Sequence, residues 1–319
     1  MAIQIKDTVI QTTAIDSIRD NLLNAKSATG GAISVGRNIH KGDYIEETFF
    51  DDFGNIVRRD PTVDTAVTPE RLSTSKDVAV KLYFRGDLFV TNTELERYGT
   101  TVKNMNSKIG NKIGEKISRW TIEKGLIALV AALTSRAELV AGDGTTAADV
   151  KTLADAVFKL GDMNEDVKVF VTPSMVAYQL LQNALNSTAD QISYGAVYGA
   201  QIGTLGRKLW MVDNAALQWS EDLNGDGVNE NGYYTLGLTP GAITIDESEV
   251  VKILSDLDIT QENAGYRFKT EGAYTIKVKG FSYNKSQGIN PSDSVLGSTA
   301  SWTLVGDIKA AAGVVAKTA

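Results

Sequence analysis

The 319-residue chain contains no cysteine, one histidine and five prolines. Without cysteine there is no disulfide, no thiolate metal site and no cysteine nucleophile, so stability has to come from packing or from assembly. The single histidine, His40, stands beside Lys41 and Gly42 in a stretch expected to project from the fold. A Ser-His-Asp arrangement has no frame there, and a solvated imidazole is the simpler reading. A basic excess is also missing: 32 Lys and Arg face 39 Asp and Glu, a net charge of −7. From Met1 to Asp60 seven basic residues face nine acidic ones, so there is no basic arm either. A chain of this charge does not hold nucleic acid mainly by neutralising phosphates. The opening MAIQIKDTVIQTTAIDSIRD has acids where a signal peptide needs an apolar run, and the longest apolar run, Leu126 to Leu133, is too short to span a bilayer. A soluble chain made in the cytoplasm, with no membrane partner, is expected. No G-x-x-x-x-G-K-[ST] occurs, and Gly195, Gly199, Gly203 and Gly206 lack the order of a dinucleotide fingerprint, so no phosphate cradle is expected.

What the chain does have is enough apolar residue, 43 %, to build one large or two ordinary domains. The stretch from Thr100 to Thr134 reads as one long helix. Val102, Met105, Ile109, Ile113, Ile117, Trp120, Ile127 and Val130 fall at spacings of three, four or seven and lay one stripe along it. Gly99 and Thr100 suit its start, and no proline interrupts it. Before this spine, residues 1–31 read as a polar arm, weakly helical around Ala14 to Ala25. From Ala32 to Asp60 the pattern is that of a long β-hairpin turning at Asp51 to Asn55, with too few small apolar residues for a core of its own. Asp77 to Val90 alternates as a strand.

After the spine, Ala141 to Thr146 breaks the pattern. Helix Ala147 to Leu160 closes on Gly161, strand Val167 to Val171 follows, and Thr172-Pro173 opens a helix reaching about Asn186. Residues 146–240 therefore read as α/β, and the strand-rich remainder suggests one domain into which this part is inserted. Catalytic candidates fail on geometry. Glu46/Glu47 and Asp51/Asp52 are sequence neighbours, which on a strand point to opposite faces. One ligand motif stands out: Asp222, Asn224 and Asp226 in DLNGDG match the first half of a calcium loop, with oxygen side chains at alternate positions and a glycine for the turn. Its twelfth position, Tyr233, lacks the usual bidentate glutamate, so a polar turn and a loop stiffened by calcium both remain open. No cofactor is required by any other motif.

The order of arm, projecting hairpin, spine helix, inserted α/β segment and strand-rich return resembles the tailed-bacteriophage major capsid proteins of the Hong Kong 97 phage fold. VFVTPSMVAYQLL, GRKLWMVDNAAL and KGFSYNKSQGINPSDSVLGSTASW look similar in phrasing too. The resemblance implies an α+β fold with an N-terminal arm (1–31), an extended β-loop (32–67), a peripheral domain with the spine helix (68–145), an axial domain (146–240) and a return to the peripheral domain (241–319). It implies a non-enzymatic shell subunit forming pentamers and hexamers of an icosahedral head around double-stranded DNA, found in the virion after assembly in the host cytoplasm. Copies of itself, a separate scaffolding protein, a portal and a decoration protein are the implied partners. No lysine–asparagine crosslink pair is identifiable. An encapsulin-type nanocompartment shell shares the fold, and a calcium-binding extracellular β-protein is the alternative suggested by the DLNGDG loop alone.

Overall fold

The structure is a computed structural model and describes residues 7–50, 61–62, 74–97, 102–186, 201–202, 206–225, 227–260 and 262–319. In chain order it comprises α1 (Asp7–Ala28), β1 (Ile33–Arg37), β2 (Tyr44–Phe50), β3 (Thr74–Thr91), α2 (Asn92–Arg97), α3 (Val102–Thr134) and β4 (Val140–Ala141). Then come α4 (Val150–Phe158), β5 (Val169–Thr172), α5 (Ser174–Asn186), β6 (Gln201–Ile202), β7 (Arg207–Met211), β8 (Gln218–Glu221) and β9 (Glu230–Leu238). The last part holds β10 (Ile243–Asp258), β11 (Gly265–Val278), β12 (Phe281–Tyr283), α6 (Asp293–Leu296), β13 (Trp302–Leu304) and β14 (Gly313–Thr318).

The spine helix is present as α3, 33 residues and therefore about 50 Å long. Its two halves bury differently. The first half shows a single buried stripe through Met105, Ile113 and Ile117. In the second half Leu126, Ala128, Leu129, Ala131, Ala132 and Leu133 are all buried, because this end enters the core shared by two sheets. A helix apolar on all sides is a helix covered on all sides, which accounts for the apolar run at 126–133. Gly125 lets α3 close on the sheet: a Cβ there would stand 3.1 Å from the terminal methyl carbons of Ile243 and Ile245.

The first sheet runs β1-β10-β11-β12-β13, with β3 on β11 and β2 on β3. The second runs β4-β14-β9-β5-β7-β6, with β8 on β9. In the second sheet β5 and β7 are parallel, joined through α5, as the α/β reading of this segment expects. Gly161 after α4 has φ +60°, the left-handed turn residue anticipated there.

Three expectations need correction. The arm is not an uncovered polar segment: α1 spans 22 residues and buries Ile10, Ala14, Ile18, Leu22 and Ala25 against α3 and the first sheet. The projecting hairpin is built from β2 and β3, and β1 instead pairs in parallel with β10 at the sheet edge. The turn expected at Asp51 to Asn55 lies outside the described residues. Finally, the return after residue 241 divides: β10 to β13 join the first sheet, whereas β14 crosses back into the second between β4 and β9. Periodicity marks a strand but carries no information on its partner, so this crossing was invisible in the sequence.

Candidate assembly interface

The paired strands β2 and β3 form the described base of the hairpin. Seven cross-strand pairs run from Tyr44↔Val80 to Phe50↔Thr74. Tyr44 stacks on Tyr283 of β12 at 6.2 Å, and Lys285 lies over the Tyr44 ring. The neighbouring carboxylates Glu46 and Glu47 are taken by different lysines. Glu46 binds Lys76 at 3.0 Å and also Lys285, while Glu47 binds Lys277, which holds Asp77 at 3.0 Å as well. Burial pushes the Asp77 carboxyl up, and Lys277 only partly offsets this. Burial would lower Lys277, but its bonds to Glu47 and Asp77 outweigh that and hold it above its ordinary value.

One lysine of β3 lies inside the fold. Lys81 is 1 % exposed and pairs with Glu249 of β10 at 2.7 Å, with the Tyr83 ring 4.9 Å away. Above it runs the segment 38–43, which carries His40. His40 is only half-exposed: Nδ1 bonds the Asn38 carbonyl at 3.0 Å, and Nε2 is buried. The solvated imidazole expected from the sequence is therefore half-covered. Sequence reading also passed over Lys81, since a lysine in an alternating strand reads as an outward residue.

At the opposite end, β3, β10 and β11 continue as a three-stranded ribbon. Phe268↔Leu88 and Leu257↔Tyr266 place Leu88 and Leu257 on one face, and Arg267↔Phe89 and Leu254↔Lys269 place Phe89 and Leu254 on the other. Leu254 is 60 % exposed and Ile259, just beyond β10, 73 %. Apolar side chains are thus exposed on both faces of this ribbon.

The DLNGDG segment is the turn between β8 and β9. Asp222 accepts from the Gly225 amide at 2.6 Å and the Gly227 amide at 2.9 Å. Glu230 accepts from the Leu223 amide at 2.8 Å and from the Asn224 side-chain amide. The fold thus brings Asp222, Asn224 and Glu230 to one turn, whereas Asp226 lies outside the described residues. Among the described residues no three Asp, Glu or His side chains are grouped to hold a metal ion. No helix among them is long and apolar enough to cross a membrane.

No curated protein matches the chain. Solved structures do. The capsid of the Helicobacter pylori bacteriophage KHP30 matches at TM-score 0.54 and 11 % identity, covering 90 % of this chain and 88 % of that one. The capsid of the cyanophage P-SCSP1u matches at 0.52 and 14 %, covering 91 % and 87 %. A Mycobacterium phage Bobi structure matches at 0.50 and 12 %, covering 90 % and 89 %. At such identities the likeness establishes the fold, that of tailed-phage capsid subunits. The model of the Gp13-like family, described as major capsid protein 13-like, matches residues 2–315. The chain belongs to the Gp13-like family of major capsid proteins.

Proposed function

We propose that this major capsid protein forms pentamers and hexamers that close into an icosahedral head around double-stranded DNA, and that assembly takes place in the host cytoplasm. The observation that carries this reading is the apolar ribbon end left exposed at Leu88, Phe89, Leu254, Leu257 and Ile259, to which the reading adds the β2–β3 hairpin. In this account a neighbouring copy covers each. The acidic chain suits a wall that confines a genome without binding it tightly. The family is a structural one rather than a class of enzymes. A scaffolding protein, a portal and a decoration protein are the further partners the reading adds. Calcium at Asp222, Asn224 and Asp226 is proposed as a stiffener of the β8–β9 turn, and no other cofactor enters. Particles purified from a phage lysate test the reading: they should hold nuclease-protected double-stranded DNA, and an enzyme cargo in its place would contradict it.

A further inference from the structure

The ribbon of β3, β10 and β11 has an open edge along β3. Odd-numbered residues of β3 turn their backbone groups away from β11, toward the side on which β2 pairs with Thr74 to Val80. Just past that pairing, the Lys81 amide donates to the Asp43 carbonyl at 3.0 Å. Two further outward amides are closed by side chains: Tyr83 donates to Asn290 Oδ1 at 3.0 Å, and Thr91 to Glu94 Oε2 at 2.9 Å. Asn290 takes φ +48°, alone among the described non-glycine residues in having a positive φ, so a sparsely populated conformation presents the first of these caps. Between the caps, the outward backbone groups of Arg85 and Asp87 have no partner among the described residues, and the whole stretch 85–89 is exposed. An edge closed at both ends and open in the middle is a place for strand addition.

The residues of this stretch say which strand fits. An antiparallel neighbour must set outward residues opposite outward residues. With the same stretch of a second copy as the neighbour, one register sets Arg85 on Arg85 and another sets Asp87 on Asp87, and like charges directly opposite are destabilising. The register between them sets Arg85 opposite Asp87 twice, about a two-fold axis through Gly86. The two side chains are 71 % and 44 % exposed, and their contact within the chain, at 3.5 Å, lies at the surface where a facing charge can join it. In the same register Leu88, 39 % exposed, falls opposite the partner's Phe84 and gains cover.

We propose that β3 adds antiparallel to β3 of a second copy over residues 84–88, joining two ribbons into one continuous sheet across a two-fold axis. The inference rests on the reading of the chain as a shell subunit and names one contact through which its copies join.

The chain has no cysteine, so a single introduced one forms a disulfide only between copies. At Gly86 a Cβ would stand 3.8 Å from Thr270 Cβ, an ordinary contact, so Gly86→Cys fits the fold. In the proposed register the two Cα atoms at position 86 are about 4.5 Å apart, within the span a disulfide bridges, whereas those at position 88 are about 14 Å apart. Particles assembled under reducing conditions and then mildly oxidised should therefore give covalent dimers from Gly86→Cys and monomers from Leu88→Cys. Adding Arg85→Asp to Gly86→Cys should abolish the dimers, and adding Asp87→Arg as well should restore them. Particles of Gly86→Cys that stay monomeric would overturn the inference and leave the shell reading standing, whereas a wild type that forms no particles would overturn the reading itself. If Gly86→Cys alone fails to assemble, hydrogen exchange of the wild type decides. Amides of Arg85 and Asp87 should become protected on assembly while those of Gly86 and Leu88, already facing β11, change little. Unchanged exchange at Arg85 and Asp87 would overturn the pairing.

Discussion

Gly114 of α3 and Ala14 of α1 meet backbone to backbone: a Cβ on the glycine would stand 2.7 Å from the Ala14 carbonyl oxygen. One turn earlier Gly110 meets Ile10 in the same way, at 2.6 Å. Two glycines four apart make a flat strip on the spine helix, and α1 lies on it. Gly114→Val should therefore push α1 away and cost about 3 kcal/mol, more than an ordinary overpacked site because the clash is with backbone. Denaturant midpoints, together with proteolytic nicking within 28–33, give the measurement.

Lys81 and Glu249 should respond unequally to substitution. Glu249→Ala strands an ammonium group whose side chain is only 2 % exposed, at a cost of about 3 kcal/mol. Lys81→Met keeps the buried volume and leaves a half-exposed carboxylate that water satisfies, so about 1 kcal/mol is expected. Thermal melting of the two variants and the double variant checks the order. Equal losses would mean the pair acts through packing alone.

Burial raises the folded-state pKa of Asp77, so its ionisation is harder in the folded chain than in the unfolded one. The sign follows from linkage. This group's favourable contribution is complete below the unfolded value, about pH 4, and is lost as pH rises through the folded value. Stability of the wild type relative to Asp77→Asn should consequently decline as pH increases from about 4 toward neutrality. A relative stability that increases over this range would show that Lys277 and not burial governs the site.

If calcium stiffens the β8–β9 turn, it stabilises the folded chain by mass action, so added calcium should raise the melting temperature and a chelator should lower it. The absence of a glutamate at the twelfth position implies modest affinity. Asp222→Ala should remove the calcium response, and because it also frees the Gly225 and Gly227 amides, it should lower the melting temperature without calcium too. A melting temperature indifferent to calcium and chelator alike would leave a turn closed by its own hydrogen bonds.

The sequence makes the spine helix legible because eight apolar residues keep a helical period over thirty residues, and makes the inserted α/β part legible because Gly161 and Pro173 punctuate it. The docking of α1 was hidden for a physical reason: its buried face includes Ala14 and Ala25, which weigh little in any periodicity, and its seat is a glycine strip. Partners of strands were hidden as well. Nothing in GVVAKT says that β14 pairs with Tyr233 to Leu238 rather than with the first sheet. At the hairpin root the aromatic and charged residues were visible, but the matching of Glu46 and Glu47 to lysines more than 200 residues away required the fold.

The central claim is that the ribbon end and the hairpin are faces made for other copies of the chain. Leu254→Ser with Ile259→Ser alters residues 60 % and 73 % exposed in the single subunit, so folding stability should shift by under about 0.5 kcal/mol. Electron microscopy of wild-type and variant protein, each produced and purified in the same way, is the most direct test. The account predicts closed shells from the wild type and folded, unassembled subunits from the variant. Closed shells of normal size and yield from the variant, or a wild type that stays monomeric, would contradict it.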